Sequence, residues 1–323
     1  MSANHAAFNL IFRFVENYIS PIAGRISSQR HVMAIRDGFI SAMPFMIVGS
    51  FLLVFAYPPF SPDTTWGFAR AWLDLAKEFE GRILTPFDMT MGIMSIYICA
   101  AISYNLGKHY EKSNQLDPFM CAMLSIMAFL LIAAPKTNGT LPVDSLGGTG
   151  IFTAILVAIY CVEMMRFLKA HNIGIRLPDQ VPPMIKNSFD LLIPVLVVVL
   201  TLYPLSLFIQ HHFDMLIPQA IMAIFKPLVS AADSLPAILL AVLIGHLLWF
   251  AGIHGAAIVS GMLQMFWLTN LGMNQQALAQ GAPLPHIFME AFWTFFIVVG
   301  GSGATMGPVS YTHLRAHETL SDL

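Results

Sequence analysis

Residues Trp249 to Ser260 read WFAGIHGAAIVS, which sets His254 between Gly252 and Gly255 in otherwise apolar sequence, with Trp249 five residues before it. An imidazole carries two ring nitrogens, and both need hydrogen-bond partners once the ring leaves water. Glycine on either side lets the backbone kink or break and lets a second group approach closely. An aromatic face, a polar ring and non-helical backbone inside apolar sequence suit a small polar ligand. They also suit a core histidine bonded to a neighbouring carbonyl, and this stretch alone does not separate the two. Other candidates are weaker. His211 and His212 are adjacent, so on a helix they point to different faces and read as an interfacial pair rather than a metal site. His109 falls at an expected helix end, where a solvated role suffices. Glu290 is the sole acidic residue of its apolar neighbourhood, and carboxylates inside membranes are costly and often functional. Pro283, Pro285 and His286 place it near a turn, where an interfacial carboxylate fits as well.

Several chemistries find no residues here. The sequence has no phosphate-binding glycine loop followed by lysine, no His-Glu-x-x-His and no Gly-x-Ser-x-Gly. Cys99, Cys121 and Cys161 lie in apolar runs without metal spacing and read as small buried hydrophobes. No metal or cofactor is expected. The net charge of −2 comes without a basic patch, so nucleic acid is not an expected partner.

The elements that must position these residues are membrane helices. The chain is 57% hydrophobic and 11% charged, against roughly 45–50% and about 25% in soluble domains. Phe39–Tyr57, Met89–Leu106, Pro118–Pro135 and Leu191–Ile209 contain no Asp, Glu, Lys or Arg. Each is near the ~20 residues a spanning helix needs. Gly147–Val162 and Pro236–Gly252 are further candidates, the latter interrupted only by His246. Alternation of the membrane-barrel kind is absent, so the spans are expected to be helical. The first residues are polar and then amphipathic, with no cleavable signal peptide.

Basic residues set the expected orientation. Arg13, Arg25, Arg30 and Arg36 precede the first span, Lys108 and Lys112 follow the second, and Arg166, Lys169, Arg176 and Lys186 follow the fourth. That places ten on one side against five on the other (Arg70, Lys77, Arg82, Lys136 and Lys226), so the N-terminus is expected in the cytoplasm of a multi-pass cell-membrane protein. Two connecting segments are amphipathic: Phe8, Ile11, Val15 and Ile19, then Phe68, Trp72, Leu75 and Phe79, recur at helical spacing. Each fits a helix in the membrane interface or one packed on the bundle.

After Asn187 charge almost disappears, yet long clean spans do not follow. Gly252–Gly255, Asn270–Gly272, the polar run Asn274–Gln280, Pro283, Pro285 and the cluster Gly300–Gly303 interrupt the apolar sequence. Short apolar segments broken by glycine and proline are how transporters build sites near the bilayer midplane. No internal repeat and no repeated filter sequence is present.

Four stretches then point to one family. QRHVMAIRDGFISAMPFMIVGS (Gln29–Ser50), LPDQVPPMIKNSF (Leu177–Phe189), WFAGIHGA (Trp249–Ala256) and GGSGATMG (Gly300–Gly307) follow one another in the family's order. The chain resembles the membrane IIC component of bacterial phosphotransferase-system sugar permeases of the lactose, cellobiose and diacetylchitobiose class. The resemblance implies an all-α integral membrane protein, a multi-span helical bundle with a transport domain of broken or re-entrant helices. Residues 1–186 would carry the amphipathic segment and a scaffold and dimerisation bundle of about four or five spans. Residues 187–309 would form part of the sugar-binding transport domain. It implies a β-linked disaccharide such as cellobiose or diacetylchitobiose as substrate, a homodimer in lipid, and cytoplasmic IIB and IIA partners. Phosphate would travel on a cysteine of IIB, so no residue of this chain is expected to be phosphorylated.

By the same resemblance, His254 matches the histidine of the family's Gly-Ile-His-Gly motif at the sugar. Trp249 matches the aromatic residue beside it. Asn187, Asn138 and His211 (or His212) are candidates for hydroxyl contacts. The family continues past its Gly-Gly-Ser-Gly-Ala-Thr stretch with an Ile-Asn-Glu-Pro motif whose glutamate faces the sugar. That motif is absent here, and Ser310–Leu323 is polar and unlike the family's continuation. The tail is therefore set aside as non-native, and the chain is expected to lack part of its site. The competing functional readings are an ion-coupled secondary sugar carrier, with His254 or Glu290 as proton site, and an inactive permease fragment.

Overall fold

The helices form over the apolar runs. The computed structural model describes residues 28–135, 140–175, 189–250, 255–279 and 281–298, with a few isolated positions before residue 28. The regular structure among the described residues is helical, with no β-strand. In chain order the long helices are α1 (Arg30–Ala56), α2 (Gly67–Asp88), α3 (Met94–Asn114), α4 (Pro118–Ala133), α5 (Ile151–Ala170), α6 (Leu192–Phe213), α7 (Ile217–Ala232), α8 (Leu235–Phe250) and α9 (Gly255–Ala279). A one-turn helix, α10 (Glu290–Phe292), runs into a π-helical turn at Trp293–Ile297.

Local chemistry explains the boundaries. Asp117 caps α4: its carboxylate accepts the N–H groups of Phe119 at 2.9 Å and Met120 at 3.3 Å, and Pro118 occupies the first helical position. Such a cap contributes about 1 kcal/mol. α3 ends where Gln115 turns left-handed at φ 53°, and Lys169 Nζ donates to the Gln115 carbonyl at 2.7 Å. Polar side chains within the helices turn back on their own backbone, Ser103 to the Cys99 carbonyl and Thr201 to the Val197 carbonyl. That satisfies hydroxyls where water is absent.

The chain divides into two compact units. One comprises Met33–Pro227 with Leu271–Pro285; the other contains Leu228–Asn270 and the chain from His286, together with Met1–Val32. In the first unit α3 packs on α4 and α5. Its core brings together Ile98, Cys99 and Ile102 with Cys121, Phe129, Ala158 and Cys161, all fully buried. The three cysteines are thus buried thiols inside the bundle. α1 meets α3 closely at Gly38, where a Cβ would lie 2.8 Å from the Ile102 nitrogen and 2.9 Å from its Cα. Small residues at such crossings let membrane helices approach through their backbones. Tyr110 donates to Glu163 at 2.8 Å, and Arg166 pairs with the same carboxylate at 2.8 Å while lying over the Tyr110 ring.

Among the described residues, three helical stretches are long and apolar enough to cross a membrane: Arg30–Ala56, Gly148–Ala170 and Leu192–Phe213. α7 and α8 add a fourth if taken as one span, bent by 70° at the break between them. Pro118–Ala133 is apolar but shorter. The expected run Met89–Leu106 begins with a turn, and its helix starts only at Met94. The amphipathic segment around Phe68 and Phe79 is a helix, whereas the segment Phe8–Ile19 lies outside the described residues.

Candidate functional site

The Gly-Ile-His-Gly stretch falls at a helix break. α8 ends at Phe250 and α9 begins at Gly255, and residues 251–254 between them, including His254, lie outside the described residues. The glycine that opens α9 has a steric reason: a Cβ on Gly255 would collide with the Gly245 carbonyl oxygen and lie 3.1 Å from Leu248 Cβ. The two helix ends therefore close on each other across a glycine contact. Trp249 sits in the last turn of α8 and is half-buried.

Of the five sugar-contact candidates, the structure describes Trp249 and His211. Asn138, Asn187 and His254 lie outside the described residues. His211 is exposed in the last turn of α6. Its ring meets that of His212 edge-on, with centroids 5.1 Å apart and planes at 86°. His212 turns back instead, its Nδ1 donating to the Phe208 carbonyl at 3.1 Å and its ring stacking on Phe208. The pair diverges as adjacent helical residues must. Only His211 keeps its ring free of a backbone partner on its own helix.

Asp233 is a residue that the sequence reading passed over. It lies at the break between α7 and α8. Its Oδ1 accepts the N–H of Phe288 at 2.6 Å and of Ile287 at 3.3 Å. Its Oδ2 receives His286 Nδ1 at 3.1 Å, with the two side chains only 13% and 10% exposed. Asn270, on α9, donates from Nδ2 to the Phe288 carbonyl at 3.0 Å. One carboxylate and one amide thus hold the extended segment before α10. Such a segment needs side-chain partners because it makes no helical hydrogen bonds of its own. Beside it lies an aromatic core of Trp267, Phe288 and Trp293 with Ala241 and Val259. The Trp267 ring stands 5.8 Å from Phe288 and 5.7 Å from Trp293. The available signal was Asp233 itself, one of few charges in apolar sequence.

The expected breaks at Asn270–Gly272 and Asn274–Gln280 are corrected. α9 runs without interruption from Gly255 to Ala279. Its polar residues are buried on the helix: Asn270 bonds sideways to Phe288 and Gln275 Nε2 to Ser50 Oγ at 3.4 Å, while Thr269 turns back on its own helix to the Met265 carbonyl. Gly272 does not break the helix. It meets Gly148 instead, and a Cβ on Gly272 would lie 2.6 Å from the Gly148 Cα. Pro283 and Pro285 fall, as read, in non-helical chain, and Glu290 opens α10.

Known proteins resemble this chain over most of its length. The cellobiose-specific EIIC component of Geobacillus stearothermophilus is 33% identical over 313 residues, covering 91% of this chain and 67% of that protein. The lichenan permease IIC component of Bacillus subtilis is 31% identical, covering 95% and 70%. The crystal structure of the transporter ChbC, the IIC component of the N,N'-diacetylchitobiose-specific phosphotransferase system, superposes with a TM-score of 0.79. It is 33% identical, over 92% of this chain and 70% of that one. Residues 36–320 match the family described as phosphotransferase system, EIIC. The chain belongs to the phosphotransferase-system EIIC family.

Proposed function

We propose that the protein imports a β-linked disaccharide, such as cellobiose or diacetylchitobiose, as the IIC component of a phosphotransferase system, and presents it to IIB for phosphorylation. The observation that carries this reading is the likeness to the diacetylchitobiose transporter, which extends through both units at 33% identity. The relatives' names converge on β-linked sugars, which narrows the class without choosing among its members.

The chemistry asked of the chain is recognition and access. His254 exchanges a hydrogen bond with a sugar hydroxyl, and Trp249 stacks on the C–H face of a ring. Asn138, Asn187 and His211 supply further hydroxyl partners. Helix breaks at membrane depth are where transporters offer backbone groups to a polar ligand. Phosphate arrives on IIB, recharged by IIA, from the cytoplasmic side. A phosphorylated sugar carries charge and cannot recross the apolar layer, so phosphorylation makes uptake one-way. The protein works as a homodimer with its N-terminus in the cytoplasm.

The test is equilibrium binding of labelled cellobiose to the purified protein in lipid nanodiscs, with competition by unlabelled sugars. Cellobiose, diacetylchitobiose or another β-linked disaccharide should compete, and α-linked maltose should not. Competition by maltose alone, or saturable binding of none of these sugars, would overturn the proposal. An ion-coupled carrier is separated by uptake into vesicles: sugar accumulation that collapses with a protonophore and ignores phosphorylated IIB would establish it instead.

A further inference from the structure

His246 interrupts a helix face that is otherwise leucine. α8 contains no Asp, Glu, Lys or Arg. Ala241, Gly245 and Leu248 form its buried stripe, and Ala241 belongs to the aromatic core beside Val259 and Trp267. Successive side chains of a helix turn by about 100°. That turn sets Leu239, Leu243 and His246 on one face, away from the buried stripe. Leu239 and Leu243 are 59% and 55% exposed, and His246 is exposed as well. The face is apolar along its first turns and becomes polar only at His246, four residues before α8 ends at Phe250. Trp249 stands three positions further on, about 60° round the helix toward the buried stripe.

One nitrogen of this imidazole is already committed. Nδ1 lies 2.7 Å from the Val242 carbonyl. A carbonyl oxygen only accepts, so Nδ1 carries the proton of that bond and the imidazole presents Nε2 as an acceptor. His171 and His212 turn back on their helices in the same way, but both stand at helix ends, where water reaches the second nitrogen. His246 lies in an apolar helix that forms one candidate span with α7. An acceptor held in hydrocarbon without a donor is costly. Ionisable side chains within spans almost always face the protein interior or a polar cavity.

We propose that His246 is a specificity-determining residue of the sugar site, its Nε2 accepting a hydrogen bond from one hydroxyl of the bound disaccharide. The assignment rests on the reading of the protein as a β-disaccharide permease. A pyranose stacked on Trp249 carries its hydroxyls round the rim of the ring, where an acceptor one turn back along α8 can meet them. An indole recognises the apolar face of any pyranose. An acceptor beside it distinguishes sugars by whether a hydroxyl stands at that place. The leucines before His246 suit lipid, so a polar group confined to the turns next to the break favours a ligand at the break over lipid along the whole face.

The experiment is equilibrium binding of cellobiose, and of cellobioses each lacking one hydroxyl, to the purified protein in lipid nanodiscs. The parent is compared with His246→Leu, a replacement that suits an exposed position in an apolar helix, and thermal melts establish folding. In the parent, one of the monodeoxy sugars should bind roughly three- to tenfold more weakly for want of the hydroxyl that meets His246. His246→Leu should bind cellobiose more weakly by a similar factor and no longer distinguish it from that analogue. The losses for the other analogues should stay as in the parent, a selectivity that a purely structural residue would not give. His246→Gln, which retains an acceptor, should keep the distinction in part. Parent-like affinity of His246→Leu for cellobiose and every analogue would put the imidazole against lipid and overturn the assignment. Uniformly weaker binding with every distinction kept would make it a packing residue and overturn it equally. A parent protein that binds none of these sugars would locate the failure in the permease reading, and the assignment would fall with it.

Discussion

Trp249 and His254 are separated by the end of one helix, and what each contributes differs in kind. The indole supplies area, and the imidazole supplies a directional hydrogen bond. Losing one such bond while its partner stays buried costs on the order of 1–3 kcal/mol, and ~1.4 kcal/mol is a factor of ten. His254→Ala is therefore expected to weaken sugar binding about tenfold or more, with Trp249→Ala weaker than the parent through lost stacking. His171 is the control: it is exposed at the C-terminal end of α5 with its Nδ1 2.9 Å from the Phe167 carbonyl. His171→Ala should bind sugar like the parent. Affinities of the purified variants, with melts to establish folding, check all three, and parent-like affinity in well-folded His254→Ala would return the imidazole to a packing role. Asp233 calls for a different readout. Removing its carboxylate strips an acceptor from the N–H groups of Ile287 and Phe288 and from His286. Asp233→Ala should lower the apparent melting temperature clearly, whereas Asp63→Ala, on an exposed turn, should leave it unchanged; equal melts would mean the clamp is dispensable. Glycine flanks made the Gly-Ile-His-Gly break legible in sequence. Asp233 was harder to see because its partners, the His286 ring and two backbone N–H groups, lie more than fifty residues away, and a backbone N–H in need of an acceptor leaves no residue-type signal.

Among the helices, the apolar runs were legible because length and charge alone decide what can enter a bilayer. α1, α4 and α6 overlap the runs that contain no charge. What sequence could not settle was whether a polar residue interrupts a helix or decorates it. Asn270, Asn274 and Gln275 looked like a break, and they lie on the continuous helix α9. The outcome turns on lateral partners, and those are set by tertiary packing. Glycine shows the same ambiguity, and the structure assigns opposite signs to two of them. A Cβ on Gly38 would lie 2.8–2.9 Å from the backbone of Ile102, which cannot swing aside like a flexible side chain. Gly38→Val should force α1 from α3 at a cost of about 1–3 kcal/mol, the usual range for overpacking. Gly81, in α2, has nothing within 4 Å of the position a Cβ would take. Gly81→Ala should stabilise by about 0.4–1 kcal/mol, because alanine restricts the unfolded chain and strains nothing here. Apparent melting temperatures in detergent should fall for the first and rise slightly for the second. A Gly38→Val protein as stable as the parent would mean that the α1–α3 crossing is looser than its backbone distances imply.

For the whole molecule, the largest question that charge can answer is which way the bundle faces. Basic residues resist translocation, and their excess in short loops decides which ends stay inside. Ten of them fall on the side of the N-terminus, of Lys108 and Lys112, and of the loop after α5. The structure gives this side a coherent architecture within the first unit. The end of α3 and the end of α5 meet through Lys169, which donates to the Gln115 carbonyl and pairs with Asp190 at 3.1 Å. Arg166 and Glu163 lie one turn earlier, locked to Tyr110. The opposite connection, from α1 through α2 to α3, carries Asp63, Asp74, Glu78 and Glu80 against few basic residues and holds an aromatic cluster of Phe60, Trp66 and Trp72. Trp and Tyr rings occur at both membrane surfaces, so they cannot orient the protein; lysine and arginine can. A reporter fused after Lys169 should therefore read as cytoplasmic and one fused at Lys77 as external. The two positions must give opposite readings if α1 and α5 enter the membrane as single spans of a four-span bundle, because an odd number of crossings separates them. Cytoplasmic labelling at Lys77 with external labelling after Lys169 would invert the bundle and move the IIB docking face to the other end. The same labelling at both would change the number of crossings between them, and α2 would be the first helix to count as a further span.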